Sequence, residues 1–135
     1  MSRPAARDPL ILQVSRAIDC FREARAAIRE TFSIVSAAEV VGRVLSHEIP
    51  RYGYCRNGLE YYVHGVGYTV ILRNGAQVHI DSVGERDCFS IYDLRNFLEE
   101  DTEEDSPSIP ELERVCADLV DSGELSRVGA ITFAL

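Results

Sequence analysis

Lysine is absent from this 135-residue chain, and all 14 of its basic residues are arginine. GC-rich coding produces that bias by itself, so no structural argument rests on it. Also absent is any uninterrupted apolar run of about 18 residues, the length that a membrane-crossing helix needs. The opening stretch "MSRPAARDPLILQVSRAI" contains arginines but no long apolar core and no small-residue cleavage site. It does not read as a secretory leader, and a cytosolic location with no membrane partner is expected. The four cysteines, Cys20, Cys55, Cys88 and Cys116, include no C-x-x-C pair. That spacing argues against a zinc knuckle or a redox dithiol, so neither a metal nor another cofactor is expected. Cys20 and Cys116 fall among apolar residues of helical segments, where a free cysteine acts as a small buried hydrophobe. Cys55, in the loop "RYGYCRNG", is the one to test for reactivity.

What is present describes one globular unit. Hydrophobic residues at 46% and charged residues at 27% lie far from the composition of disordered chains, and the length fits a single domain over residues 1–135. The formal net charge of −8 is unevenly placed. From Glu99 to Glu124 there are 11 acidic residues and one arginine, whereas the rest of the chain carries 11 acidic residues and 13 arginines. A local field of that sign repels phosphate backbones and attracts cationic surfaces, so nucleic acid is disfavoured and a basic protein partner is favoured. The plainer reading of "EEDTEED" is a solvated loop.

Asp8 followed by Pro9 marks a helix start, and Leu10, Val14, Ile18, Phe21, Ala24, Ile28 and Phe32 recur at three- and four-residue intervals. Ser36 with Glu39 predicts a capped second helix, apolar at Val40, Val41, Val44 and Leu45 and stopped by Pro50. A loop, 51–58, leads to expected strands 59–64, 68–73 and 76–82, with Asn74-Gly75 as a two-residue turn between the last two. Ser90 with Asp93 caps a short helix apolar at Ile91, Leu94, Phe97 and Leu98. Ser108, Pro110 and Glu111 open a further helix that Gly123 closes, and Gly129-Ala130 suits a two-residue turn in a terminal hairpin. The expected fold class is α+β: N-terminal helices, a central antiparallel sheet, then further helices and a C-terminal hairpin. A helix followed by a hairpin also occurs in winged-helix domains. The helix Pro110 to Ser122, however, offers a DNA groove only Arg114 amid four carboxylates.

A two-residue turn at Asn74-Gly75 would place Thr69, Ile71, Val78 and Ile80 on the core side of the sheet. The other side would carry Tyr62, His64, Tyr68, His79 and Asp81, with Val70 beside His79 and Leu72 beside Gln77. Histidine titrates near neutrality and a carboxylate can orient an imidazole, so His64, His79 and Asp81 could serve acid–base chemistry on a small polar substrate. Around them, however, stand no obvious nucleophile, no phosphate-cradling glycine loop and no metal-ligand spacing. The simpler reading is that these are polar residues of a half-buried sheet face. Gly65 and Gly67 are expected where the strand bends or another backbone comes close.

The stretch "YYVHGVGYTVILRNGAQVHIDS" followed by "CFSIYDLRNFLEE" resembles an uncharacterised family of small bacterial domains. The shared pattern is an aromatic-x-His-Gly-Ile/Val-Gly strand at Tyr62, His64, Gly65, Val66 and Gly67, a second strand with Val78, Ile80 and Asp81, and a Phe-x-x-x-x-Leu-x-x-Phe run at Phe89, Leu94 and Phe97. It covers the second half of the chain; the helical first half carries no such match. Such domains resemble immunity proteins of bacterial toxin loci, which implies a non-enzymatic protein that blocks a cognate toxin with a cationic surface. The partner-facing residues expected on that reading are Glu99, Glu100, Asp101, Glu103, Glu104 and Asp105. The alternative surface is Tyr62, His64, Tyr68, His79 and Asp81. Sheet edges could mediate a dimer, but no residue pattern demands one.

Overall fold

The computed structural model describes residues 9–34, 36–65, 67–83, 86–101 and 107–135. The three- and four-residue apolar spacing folds as the long helix α1 (Pro9–Phe32), which buries Val14, Ile18, Phe21, Ala24 and Ile28. Asp8 lies outside the described residues. The second helix, α2 (Ala37–Leu45), begins as its residues dictate, with the Ser36 side chain accepting from the Glu39 backbone N–H at 3.2 Å. It ends at Ser46, before Pro50 is reached, because His47 adopts a left-handed φ of 60° and turns the chain away. The start of α2 is fixed from outside as well. The buried Asp87 carboxylate accepts the Ala37 N–H at 2.8 Å and meets Arg29 of α1 at 3.5 Å.

Seven antiparallel strands form one sheet: β1 (Tyr52–Tyr54), β2 (Glu60–His64), β3 (Gly67–Ile71), β4 (Gln77–Val83), β5 (Arg86–Ser90), β6 (Ser126–Arg127) and β7 (Thr132–Ala134). Their spatial order is β1-β2-β3-β4-β5-β7-β6, so β7 sits between β5 and the shorter β6. Helix α3 (Ile91–Asp101) follows β5 without a break, and α4 (Ile109–Asp121) opens on the expected reciprocal cap between Ser108 and Glu111. Gly123, with φ of +83°, closes α4; its N–H reaches the Val120 carbonyl and the next N–H reaches Leu119. The α+β class with N-terminal helices and a C-terminal strand pair is therefore the observed one.

One face of the sheet packs on the helices. Tyr61, Val63, Tyr68, Val70, Val78, Ile80, Phe89 and Phe133 join the buried residues of α1 and α2 in one core, where Phe21 meets Phe89 and Phe97 edge-on and Phe32 meets Tyr61. This reverses part of the expected pattern. The β3–β4 connection is not a two-residue turn: the Gly75 N–H bonds the Leu72 carbonyl and the Leu72 N–H bonds the Ala76 carbonyl. Arg73-Asn74-Gly75 thus form a three-residue loop with Gly75 at φ +92°, a turn followed by a glycine bulge. The extra residue shifts the register by one, so Thr69 pairs with His79, Tyr68 with Ile80 and Val70 with Val78. Tyr68, expected on the partner-facing surface, is 1% exposed and belongs to the core, while Thr69 takes its place on the other face. The terminal hairpin repeats the difference: the Val128 N–H meets the Thr132 carbonyl, leaving Gly129, Ala130 and Ile131 as its loop.

Candidate functional site

The helix-free face collects side chains from successive strands in register. Tyr62 of β2 stands opposite Thr69 of β3 and His79 of β4; His64 stands opposite Gly67, which stands opposite Asp81, which stands opposite Cys88 of β5. Tyr62, His64, His79 and Asp81 therefore do share one side, as expected, and the two histidines are close. Their ring centroids lie 5.5 Å apart at 78°, and Tyr62 lies 5.8 Å from His64.

Between the imidazoles is the Thr69 hydroxyl. His64 Nε2 lies 2.9 Å from Thr69 Oγ1, and the same oxygen bonds His79 Nδ1. A hydroxyl has one proton, so with both rings neutral it donates to one ring nitrogen and accepts from the other. The tautomers of His64 and His79 are thereby tied together.

Helix α3 forms the far wall. Strand β5 pairs with β4 only over Asp81, Ser82 and Val83, and below that point the outer edge of β4 is met by α3. Asp93 makes this junction. One carboxylate oxygen accepts the His79 backbone N–H at 3.1 Å; the other accepts the Ser90 N–H at 2.9 Å and the Ser90 hydroxyl at 3.1 Å. Burial pushes the Asp93 carboxyl above the usual range, against the opposing pull of those donors. Reading Asp93 only as a helix cap from the sequence captured half of its task, since it also holds the strand that carries His79.

The result is a cleft of about 560 Å³ on the open face, lined by Tyr62, His64, His79 and Asp81 from the sheet and by Tyr92, Asp93 and Asn96 from α3. Cys88, Ser90 and Thr132 complete its floor. The Cys88 thiol is buried, and burial raises its pKa, which removes it as a thiolate nucleophile near neutrality. The same applies to Cys55, which the sequence marked for reactivity: it is 4% exposed and its pKa is raised by burial. Asp81 lies over Gly67, and its Oδ1 is shielded from solvent without a hydrogen-bond partner among the described residues.

Residues 14–134 match the model of a family described as a domain of unknown function, DUF6896. The chain belongs to that family. No curated protein and no solved structure matches it. The family match reaches back to residue 14, so α1 and α2, for which the sequence offered no resemblance, are part of the DUF6896 domain. The family description assigns no activity.

The acidic residues divide. Glu99 and Glu100 line a hollow of about 210 Å³ that shares His79 and Asn96 with the cleft, so the two surfaces treated as alternatives from the sequence adjoin. Asp101 is occupied elsewhere, ion-paired with Arg16 of α1 at 3.2 Å and accepting from Asn74 of the β3–β4 loop at 3.4 Å. Glu103, Glu104 and Asp105 lie outside the described residues. Thr69, Tyr92 and Asn96 are the site residues that sequence reasoning missed. The signal for Thr69 was Gly75, whose placement third in the loop rather than second decides which β3 residues face the cleft. Among the described residues no helix is long and apolar enough to cross a membrane, and none of their His, Cys, Asp and Glu side chains group in threes as a metal site would need.

Proposed function

We propose that this DUF6896 domain binds and neutralises a cognate bacterial toxin with a cationic surface, engaging it through the open sheet face and the adjoining acidic end of α3. The observation that carries the reading is the continuity of the two: a cleft with aromatic and carboxylate walls runs into a hollow bearing Glu99 and Glu100. Beside it, Tyr52, Tyr54 and Tyr92 are each more than half exposed. Buried contacts of protein complexes concentrate in such tyrosines, and carboxylates around them select a basic partner. The resemblance of the strand motif around His64 to immunity proteins of toxin loci points the same way.

The test is co-expression with the toxin encoded beside the gene. Wild-type protein should restore growth and co-purify with the toxin, and a Tyr62→Ala, Tyr92→Ala double variant that keeps its thermal transition should do neither. Full protection by that variant would remove the reading. The Thr69 hydroxyl between two imidazoles favours a second reading, acid–base catalysis on a small polar substrate. Turnover in a substrate screen that vanishes in both His64→Ala and His79→Ala, with the fold retained, would establish it instead.

A further inference from the structure

We infer that the cleft on the open face is a receptor for a guanidinium group, presented by an arginine side chain of a protein partner, with Asp81 as its counter-charge and Tyr62 and Tyr92 as its aromatic walls. The inference deepens the binding reading above and rests on its choice of face. Three observations carry it. The first is charge: Asp81 and Asp93 line the cleft, Glu99 and Glu100 line the hollow beside it, and no arginine lines either among the described residues. The second is the unequal state of the two carboxylates. Asp93 is used up by the His79 N–H, the Ser90 N–H and the Ser90 hydroxyl, whereas Asp81 lines the cleft with one oxygen enclosed over Gly67 and given no donor by the described residues, so its charge is left to be met from the cleft side. Leaving a carboxylate oxygen without water or a donor is costly, and a cation brought against that carboxylate offsets the cost. The third is the pair of tyrosines, one from β2 and one from the first turn of α3, that line the same cleft as the carboxylate. A guanidinium is planar and weakly hydrated, so it stacks on aromatic faces while donating to a carboxylate oxygen, where a compact, strongly hydrated ammonium stacks less well.

The probe is N-acetyl-arginine amide, which carries one cation and no backbone charge, with the citrulline amide as its uncharged isostere and the lysine amide as the ammonium. Each is titrated into the full chain and followed through the backbone amide resonances of Gly67, Asp81 and Tyr92. The arginine amide should give saturable shifts in the millimolar range and the citrulline amide none, with the lysine amide binding severalfold more weakly. Asp81→Asn should cut the arginine affinity about tenfold, as loss of a charge-assisted hydrogen bond does. Tyr92→Ala, at a position more than half exposed, should weaken it severalfold with the thermal transition retained. Equal shifts from citrulline, unchanged affinity in a folded Asp81→Asn protein, or no saturable shift with arginine would each overturn the inference. The two readings fail separately. A toxin complex that forms equally well with Asp81→Asn would end this inference and leave toxin binding intact, whereas Asp81-dependent binding of the arginine amide without any toxin partner would support it and end the immunity reading.

Discussion

Gly65 and Gly67 are two residues apart in one motif, yet their surroundings differ. A Cβ on Gly67 would stand 2.2 Å from the Ile80 carbonyl oxygen and 2.5 Å from Asp81 Oδ1, while one on Gly65 meets nothing within 4 Å. The close approach is mainly to backbone, which cannot step aside as a flexible side chain can. Replacing Gly67 with alanine should therefore destabilise the fold by about 1–3 kcal/mol, as overpacking does, and valine should cost more. Gly65→Ala should be close to neutral, and urea midpoints of the three variants check the contrast. The expectation is thus met in two ways, by a close backbone at Gly67 and by the reversal of the chain between paired His64 and Gly67 at Gly65. The thiols give a second prediction at this scale. Burial raises the pKa of all four cysteines, that of Cys116 to about 12, but Cys20 is half-exposed where Cys55, Cys88 and Cys116 are buried. Under native conditions a maleimide should label Cys20 first, and the other three only at the rate of unfolding; mass mapping of the modified peptides reads the order.

At the scale of the element, the junction of β4, β5 and α3 hangs on Asp93. Its folded pKa is raised by burial, so between the unfolded value of about 3.9 and the folded value the native state binds more protons than the unfolded chain. The stability that Asp93 supplies is therefore greatest below about pH 4 and declines as pH rises through the folded pKa, opposite to an ion-paired carboxylate. Asp93→Asn leaves buried donors unmet and should cost about 1–3 kcal/mol, with the largest deficit at the acid end. Urea titrations of both proteins across that pH range show whether the gap narrows upward. The helices were legible in the sequence because apolar spacing and the Ser36 and Ser108 caps are local signals. β1 and β5 were not. A three-residue Tyr-Gly-Tyr strand has no room to display an alternation, and in β5 the buried Asp87 breaks the apolar pattern, since its reason for burial is an N–H of α2 fifty residues away. The hairpin was seen but its loop was read one residue short, and a one-residue slip sends every β3 side chain to the opposite face. On the open face, β2 and β4 therefore carry Tyr62, His64, His79 and Asp81 as the alternation implied, while Tyr68 was placed where Thr69 stands.

For the whole molecule the uneven charge decides how an encounter begins. Asp101 is held by Arg16 and Asn74, so neutralising it would loosen the contact between α1 and the β3–β4 loop as well as the field. Glu99, whose ion pair with Arg95 at 3.5 Å stays within α3, Glu100, Glu103 and Glu104 carry most of the remaining acidity of this stretch. Changing these four to glutamine should slow association with a cationic toxin and flatten its salt dependence while leaving dissociation nearly unchanged, because exposed charges mainly steer. Stopped-flow association across a salt series measures both, and a wild-type salt slope would make this end of α3 a solvated tail. The sheet order carries a consequence for how the domain is made. Strand β7 lies inside the sheet although every other strand precedes it in the chain. During synthesis the outer edge of β5 must wait, unpaired, with Phe89 lacking the cover of Phe133, until residues 132–134 have emerged. A hydrophobic strand edge left open for that interval invites pairing with other nascent chains. A chain lacking residues 132–134 should therefore engage a holdase chaperone where the full one does not.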